Sequence, residues 1–459
     1  VHMHEREAAT EKAKDLVRMA VAKARKLKPL DRMLLDVTPK GLVVGGGLSG
    51  ITAALALADQ GFEVYLIEKE QELGGFLRNI HYTLEGEEPQ KHLRELIERV
   101  QENGLVHTIL GADIEEISGY VGNFRTTITR GSEKKHLEHG IVIVASGCEE
   151  YKPVEYQYGT DPRIITQSEL EERLSTSDNV DDLDCVVMIQ CVGSRNDAHT
   201  YCSRVCCGEA VKNALKIKEK NPNTEIFILY RDMRTYGLVE TYYEKARELG
   251  VVFIRYDEKN KPKIIRKKSE DGRDILSTLV YEPSIAEQIS IDTDLLVLSV
   301  AIVPPEGNKI LAKMLKVPLN EDGFFLEAHA KLRPVDFTTD GVFVCGMAHA
   351  PKTIEESISQ AYASVSRACT ILSKGQIEAE GIVASVDEKI CTGCGTCVKL
   401  CPFGAMTKND VGVAEVTSVL CKGCGLCAAS CPERAITIPH FTDDQIISQT
   451  RALLERAIA

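Results

Sequence analysis

The sequence has no surplus of positive charge. Its 55 lysines and arginines are outnumbered by 68 aspartates and glutamates, giving a formal net charge of -13. Phosphate backbones and anionic membrane surfaces both need a basic face, so neither nucleic acid nor membrane is an expected partner. There is also no unbroken apolar run of spanning length; the longest, Gly41 to Ala58, is interrupted by glycines. The first residues include Glu5, Arg6, Glu7, Glu11, Lys12, Lys14 and Asp15, unlike a signal peptide. A cytoplasmic protein without membrane insertion is expected. Tryptophan is absent, which by itself excludes nothing. No Ser/His/Asp set and no paired carboxylates suggest an acid–base site. What remains is an ordinary globular balance, 44% hydrophobic and 27% charged, over 459 residues. At roughly 150 residues per domain, that length suits two to four domains.

Cysteine, by contrast, is plentiful. Sixteen are present, and in a reducing compartment their tight C-x-x-C spacing favours metal over disulfides. Residues 391–402 read CTGCGTCVKLCP and 421–432 read CKGCGLCAASCP, two copies of C-x2-C-x2-C-x3-C-P. Thiolates are soft ligands and four hold each iron–sulfur cubane. In two-cluster ferredoxins the fourth cysteine of each run serves the other cluster. One [4Fe–4S] cluster is therefore expected on Cys391, Cys394, Cys397 and Cys431, and a second on Cys421, Cys424, Cys427 and Cys401.

The other strong signal is GLVVGGGLSG at 41–50, with Gly45, Gly47 and Gly50 between a strand and a helix. Gly45 permits the turn, Gly47 lets a pyrophosphate approach, and Gly50 lets helix and strand pack. The helix N-terminus there favours an anion, with Ser49 in its first turn. Glu68 ends the next strand, where an acid holds ribose hydroxyls, and Lys69 follows it. A glycine turn alone is a weak signal, but strand, helix and acid strengthen it.

Strands and helices alternate through 40–150 and again through 183–256. The expected strands are Gly41–Gly45, Glu63–Glu68, Gly140–Ala145, Cys185–Gln190, Glu225–Tyr230, Val251–Tyr256, Asp294–Val300 and Val342–Cys345. Helices are expected from Ala8 to Leu27, to about Gln60, over Cys207–Lys218 and Leu238–Leu249, from Ile354 to Leu372, and over Asp443–Ala459. Residues 257–290 suit an antiparallel excursion, and 373–385 a polar linker. This pattern implies two nested, doubly wound α/β domains. The expected divisions are a helical arm over 1–37, a cofactor domain over 38–160 and 291–375, a second Rossmann-like domain over 161–290, a small α+β ferredoxin domain over 381–440, and a closing helix over 441–459.

The second Rossmann-like unit lacks a G-x-G-x-x-G; only Gly193 remains in QCVGSRNDAHTYCSRVCCGEA. Cys191, Cys202, Cys206 and Cys207 stand there instead, a grouping able to hold a third [4Fe–4S] cluster, though buried free thiols are common. Cys148, Cys185, Cys345 and Cys369 read as core or near-cofactor thiols. His2 and His4 form a conceivable ligand pair or simply part of the N-terminus.

Gly74 and Gly75 after Glu68 resemble the E-x5-GG arrangement of thioredoxin and glutathione reductases, as do Ala145-Ser146-Gly147 and the segment Thr339–Gly346. That resemblance implies FAD on the first domain. Met347 stands where the family usually has the aspartate that holds the ribityl chain. Lys352, before the last long helix, is the expected catalytic residue, its positive charge near the flavin favouring the anionic reduced form; a solvated lysine is the alternative.

Taken in order, VHMHE…AKA, VVGGGLSGITAALALADQG, QCVGSR…YCSRVCC, YRDMRTYGLVETYYEKARELGVVFIRY and PKTIEESISQA before the double ferredoxin motif resemble the A-type subunit of heterodisulfide reductase. The resemblance implies an electron-transfer subunit with FAD at the branching point of flavin-based electron bifurcation. One electron goes toward ferredoxin and one toward a disulfide-reducing subunit, supplied by a hydrogenase- or formate-dehydrogenase-type donor subunit. It also implies that Cys191, Cys202, Cys206 and Cys207 bind a cluster. A homodimer within a larger assembly is a further expectation. Many members carry an additional N-terminal cluster domain, and many insert a ferredoxin module after the Gly-Gly loop; here Phe76–His107 has no cysteine. The alternatives are a stand-alone NAD(P)H:ferredoxin oxidoreductase and a non-bifurcating wiring subunit.

Overall fold

The computed structural model describes residues 3–30, 33–176, 182–268, 272–283, 285–379 and 381–455. His2 and the last residues of the expected C-terminal helix lie outside them. The chain forms two compact units, one of residues 38–374 and the other of 1–37 together with 375–459.

The larger unit begins with strand β1 (Lys40–Val44), helix α1 (Leu48–Asp59), β2 (Glu63–Glu68), helix α2 (Pro89–Glu102), β3 (Val106–Leu110) and β4 (Ile141–Val144). The second half of the fold adds β5 (Ile164–Thr166), α3 (Gln167–Thr176), β6 (Cys185–Val192), α4 (Cys206–Lys220), β7 (Glu225–Tyr230), α5 (Glu240–Glu248), β8 (Val252–Arg255) and β9 (Leu295–Val300). The chain then returns through β10 (Val342–Val344) to α6 (Ile354–Leu372). Two five-stranded parallel sheets result, in the orders β10-β4-β1-β2-β3 and β5-β9-β6-β7-β8.

Their central strands explain the arrangement. β4 reads IVIV and β9 LLVLSV, with every residue buried. A strand covered on both faces needs a continuous apolar run, and helices supply the cover. α1 is buried along most of its length because its face is Leu, Ile and Ala. One boundary differs from expectation. β9, expected within the returning half of the first domain, pairs between β5 and β6 of the second sheet, so the return falls after Val300. The short strand is too apolar for its sequence to say which sheet it joins.

The antiparallel excursion is a three-stranded meander, Lys263–Lys268, Asp274–Glu282 and Glu287–Thr293. A second meander, Asp113–Tyr120, Asn123–Arg130 and Glu133–His139, is not anticipated by the sequence pattern. Its strands face solvent on one side and carry few apolar residues, so their alternation is faint.

In the smaller unit the helix Arg6–Ala24 packs along the helix Asp443–Leu454. Ser448 Oγ donates to the carbonyl of Ala22 at 3.3 Å and Gln445 Nε2 to that of Lys26 at 3.0 Å. The stretch expected to be a polar linker contains a strand, Gln376–Ala379, paired antiparallel with Met33–Asp36. Two short antiparallel pairs accompany the cysteine repeats, Ser385–Val386 with Ile436–Thr437 outside them and the hairpin of Met406–Lys408 with Ala414–Val416 between them.

His139 is fully buried at the end of the second meander. Its Nδ1 meets the carbonyl of Ile141 at 3.0 Å and its Nε2 the Thr126 hydroxyl at 2.8 Å. One ring nitrogen donates and the other accepts, which suits the neutral imidazole. Burial lowers its pKa from the usual 6.5 to about 4. The unfolded chain therefore binds the proton first, and stability present above pH 6.5 is lost as pH falls toward 4. Urea unfolding at pH 7 and pH 4.5 should show a loss larger by about 2 kcal/mol in the native chain than in His139→Asn.

Candidate functional site

In both sheets of the larger unit the loops at the carboxyl ends of the parallel strands line one cavity of about 1160 Å³. In open α/β sheets, ligands bind in the crevice outside the carboxyl ends of the strands.

The glycine turn after β1 forms the floor. Gly45 has φ +107, and a Cβ there would lie 2.3 Å from the carbonyl of Ala145. A Cβ on Gly50 would lie 1.8 Å from the carbonyl of Gly45, so α1 can sit this close only with glycine. Gly47 is different. The nearest atom to its Cβ position is Gly75 Cα at 3.8 Å, so the space in front of it is open. Gly74 N donates to the Gly46 carbonyl at 2.8 Å and fixes the second glycine loop against the first.

Glu68 is buried at the end of β2. Its carboxylate accepts from Gly46 N at 2.6 Å and from Glu70 N at 2.9 Å, so it also braces the turn. Lys69, mostly exposed, stands 3.8 Å from Glu149. Ser49, Gly75, Ala145, Ser146, Gly147, Met347 and Lys352 also line the cavity, with Gly45, Gly47, Glu68 and Lys69. Gly50 and Gly74 stand behind it as supports. Gly346 does too: at φ +68, its Cβ would lie 2.1 Å from Ser49 Oγ.

Several cavity residues carry no sequence signal. Ser146 Oγ donates to Asn308 Oδ1 at 2.9 Å, and Asn308 is buried. The Cys148 thiol points at the sulfur of Met347, and burial pushes it up to about 12. Lys212 Nζ and Glu171 pair at 2.6 Å with little exposure. Asn308, Lys212 and Glu171 belong to no motif; tertiary folding brings them to the wall. Lys352 is half-buried, and burial lowers its pKa while Glu356 opposes that.

The four thiols of the second sheet gather behind this cavity. Cys206 opens α4 and lines the wall; Cys191, Cys202 and Cys207 do not. Cys206 nevertheless acts electrostatically on and with all three. Its hydrogen bond to Cys207 draws that thiol down to about 7, with Arg234 and Arg195 adding to the effect. Arg204, between Cys202 and Cys206, reaches the carbonyl of Pro351 at 3.1 Å and Glu356 at 2.7 Å. It thereby ties the thiol loop to the segment carrying Lys352.

In the smaller unit the two cysteine runs cross over. Cys391, Cys394, Cys397 and Cys431 surround one small void, and Cys401, Cys421, Cys424 and Cys427 another. Each void therefore takes three thiols from one run and the fourth from the other. Among the described residues no three ligating side chains converge on a single-ion site; the thiols surround a space instead, as a cubane requires. Gly393 and Gly423, at φ +68 and +59, have backbone carbonyls 2.5 Å from where a Cβ would be, so no side chain fits.

Residues 43–95 match the family model of an NAD(P)-binding Rossmann-like domain, and 390–436 that of a 4Fe-4S dicluster domain. The chain is 35% identical to the A-type subunit of the H(2):CoB-CoM heterodisulfide,ferredoxin reductase of Methanothermobacter thermautotrophicus, over 99% of this chain and 82% of that protein. It is 34% identical to the A-type iron-sulfur subunit of the CoB–CoM heterodisulfide reductase of Methanocaldococcus jannaschii, over 99% and 83%. It is 31% identical to the A-type subunit of the H(2)/formate:CoB-CoM heterodisulfide,ferredoxin reductase of Methanococcus maripaludis, over 100% and 83%. The first alignment runs to 549 positions against 459 residues here, so that relative has segments without a counterpart. In fold, the chain is similar to Lactococcus lactis thioredoxin reductase, with TM-score 0.50 and 15% identity over 73% of this chain and 99% of that one.

The glycines make opposite predictions. Gly47→Ala should fold, with a thermal midpoint within a few degrees of the native chain, yet purify without its dinucleotide, read by absorbance and extraction. Gly50→Ala should cost more than about 4 kcal/mol and give little folded protein. The thiols predict that Cys431→Ala and Cys391→Ala abolish the same one of the two dicluster EPR signals, while Cys401→Ala abolishes the other.

Proposed function

Because the chain belongs to the family of A-type heterodisulfide reductase subunits, we propose that it is the FAD- and [4Fe–4S]-containing subunit through which electrons are divided in a heterodisulfide-reductase-like complex. It is an oxidoreductase with a dinucleotide-binding Rossmann domain and a 4Fe-4S dicluster domain. Among the described residues no helix is long and apolar enough to cross a membrane. The observation that carries the proposal is the shared wall: Cys206 and the glycine turn line one cavity.

The cavity runs past the pyrophosphate turn to Gly147, Met347 and Lys352, room for the ring system of a dinucleotide beyond its adenosine half, and the family reading makes that dinucleotide FAD. Gly47 admits the pyrophosphate, Glu68 and the turn hold the ribose end, and Ser146 is oriented by Asn308. Met347 offers a sulfur where a carboxylate would hold the ribityl chain, so backbone groups of the Gly346 segment take that role. Lys352, held among Glu356 and Arg204, supplies a cation to the ring end. When bound, flavin exchanges electron pairs and iron–sulfur clusters exchange single electrons. In this reading the glycine turn would hold the one and the thiol loop the other, with Cys206 and Cys207 buried and Cys191 and Cys202 partly exposed.

A third cluster on Cys191, Cys202, Cys206 and Cys207 is supported by an orphaned donor. Arg195 Nη1 is buried without a hydrogen-bond partner in the same loop. Four thiolates and a cluster would give it one. The stand-alone NAD(P)H:ferredoxin oxidoreductase is disfavoured because the space at Gly193 is filled. Gly193 has φ +74, and a Cβ there would lie 2.2 Å from the ring of Tyr151. That ring stands over the loop a nicotinamide pyrophosphate would use.

We carry over the partners that the relatives' names imply: a hydrogen- or formate-linked donor, ferredoxin, and a disulfide-reducing subunit. Anaerobic purification followed by iron and flavin assay tests the cofactor set. About twelve irons and one FAD per chain are expected; about eight irons would leave the Cys191 loop empty, and absence of flavin would overturn the assignment of the cavity.

A further inference from the structure

The thiol loop of the second sheet is enclosed by cations. Arg195 and Cys191 both adopt left-handed backbone, at φ 55 and 64, which non-glycine residues rarely do. Their strain marks a loop whose geometry is fixed by its surroundings. Arg195 keeps only a fifth of its side chain exposed; Nη2 donates to Asp232 at 2.6 Å, and its charge acts directly on Cys191. The carbonyl of Arg195 accepts from Arg231 Nη1 at 2.7 Å. Arg231 pairs with Glu258, Arg255 with Asp232 at 3.3 Å, and Arg204 with Glu356. Arg234 adds its charge beside Cys207. Among the described residues of this shell, only Arg195 leaves a buried guanidinium nitrogen without a partner.

From this geometry we infer that Arg195, with Asp232 as its counter-ion, sets the reduction potential of the centre on Cys191, Cys202, Cys206 and Cys207. The inference rests on the reading of those thiols as cluster ligands. One-electron reduction of a four-thiolate [4Fe–4S] centre adds one negative charge and moves no proton. A fixed cation whose guanidinium interacts with the Cys191 sulfur favours that added charge and raises the potential. Asp232 opposes the effect by neutralising part of the guanidinium. Arg195 is a positioning residue in this scheme; it tunes the centre through Cys191 rather than reacting.

The dicluster domain provides the internal control, because neither residue belongs to that unit. Potentiometric EPR titration of the anaerobically purified full chain tests the inference in the native protein, Arg195→Gln and Asp232→Asn. The third centre should become harder to reduce in Arg195→Gln and easier in Asp232→Asn. Each shift should be at least tenfold in the reduction equilibrium, about 59 mV for one electron, with the dicluster signals unmoved. Opposite signs distinguish tuning from disruption, because general loosening of the loop would not reverse between the two variants. An unmoved third centre, or shifts of the same sign, overturns the inference while leaving the ligand assignment intact. A native chain with about eight irons and no third signal removes the ligand assignment itself, and the inference with it.

Discussion

Parallel strands covered on both faces cannot hold chemistry, and the fold follows from that constraint. β4 and β9 are buried at every position, and Ser299 is the one polar side chain they carry. The polar and reactive groups are displaced to the strand ends, where Gly45, Glu68, Ala145, Cys191 and Gly346 all stand. Two such sheets within one unit bring two sets of strand ends to a single cavity. The glycine turn and Cys206 then line the same cavity without any motif that specifies the contact.

The glycines are the price of that closeness. Gly45 and Gly50 are needed by the protein itself, since side chains there would strike backbone at 2.3 and 1.8 Å. Gly47 leaves an opening that the protein does not fill. The same distinction recurs in the smaller unit. Gly393 and Gly423 clear the turns around the voids, while the thiols that face those voids come from both runs. Crossing the fourth cysteine between runs joins the two sites into one small core with Ala384, Met406, Ile436 and Ile438. That domain is too small to build a large apolar interior, so ligated metal is expected to carry much of its stability.

Much of this is legible in the sequence because the informative residues keep fixed local spacings. The glycine turn, the two cysteine runs and the strands Glu63–Glu68 and Glu225–Tyr230 are local patterns, and those two strands have the bounds expected. What escapes depends on distance along the chain. The helix Arg6–Ala24 meets a helix more than 400 residues later, as in the contact of Ala22 with Ser448. The strand Gln376–Ala379 pairs with Met33–Asp36 through a carbonyl and amide ladder that no side chain announces. β9 is equally apolar whichever sheet it joins. Asn308, Lys212 and Glu171 reach the cavity from elements whose own sequences give no hint of it. Arg195 lies inside a motif whose cysteines carry all the sequence signal.

The central claim is that one polypeptide holds a flavin-type site and thiolate-bound iron in electronic contact. An anaerobic reductive titration of the purified chain, followed by visible absorbance, addresses it most directly. The chain should take up more electrons than a flavin alone can hold, with the flavin and the broad iron–sulfur absorbance bleaching in linked phases. A correctly folded chain that takes up none, or only what a flavin holds, would contradict the account.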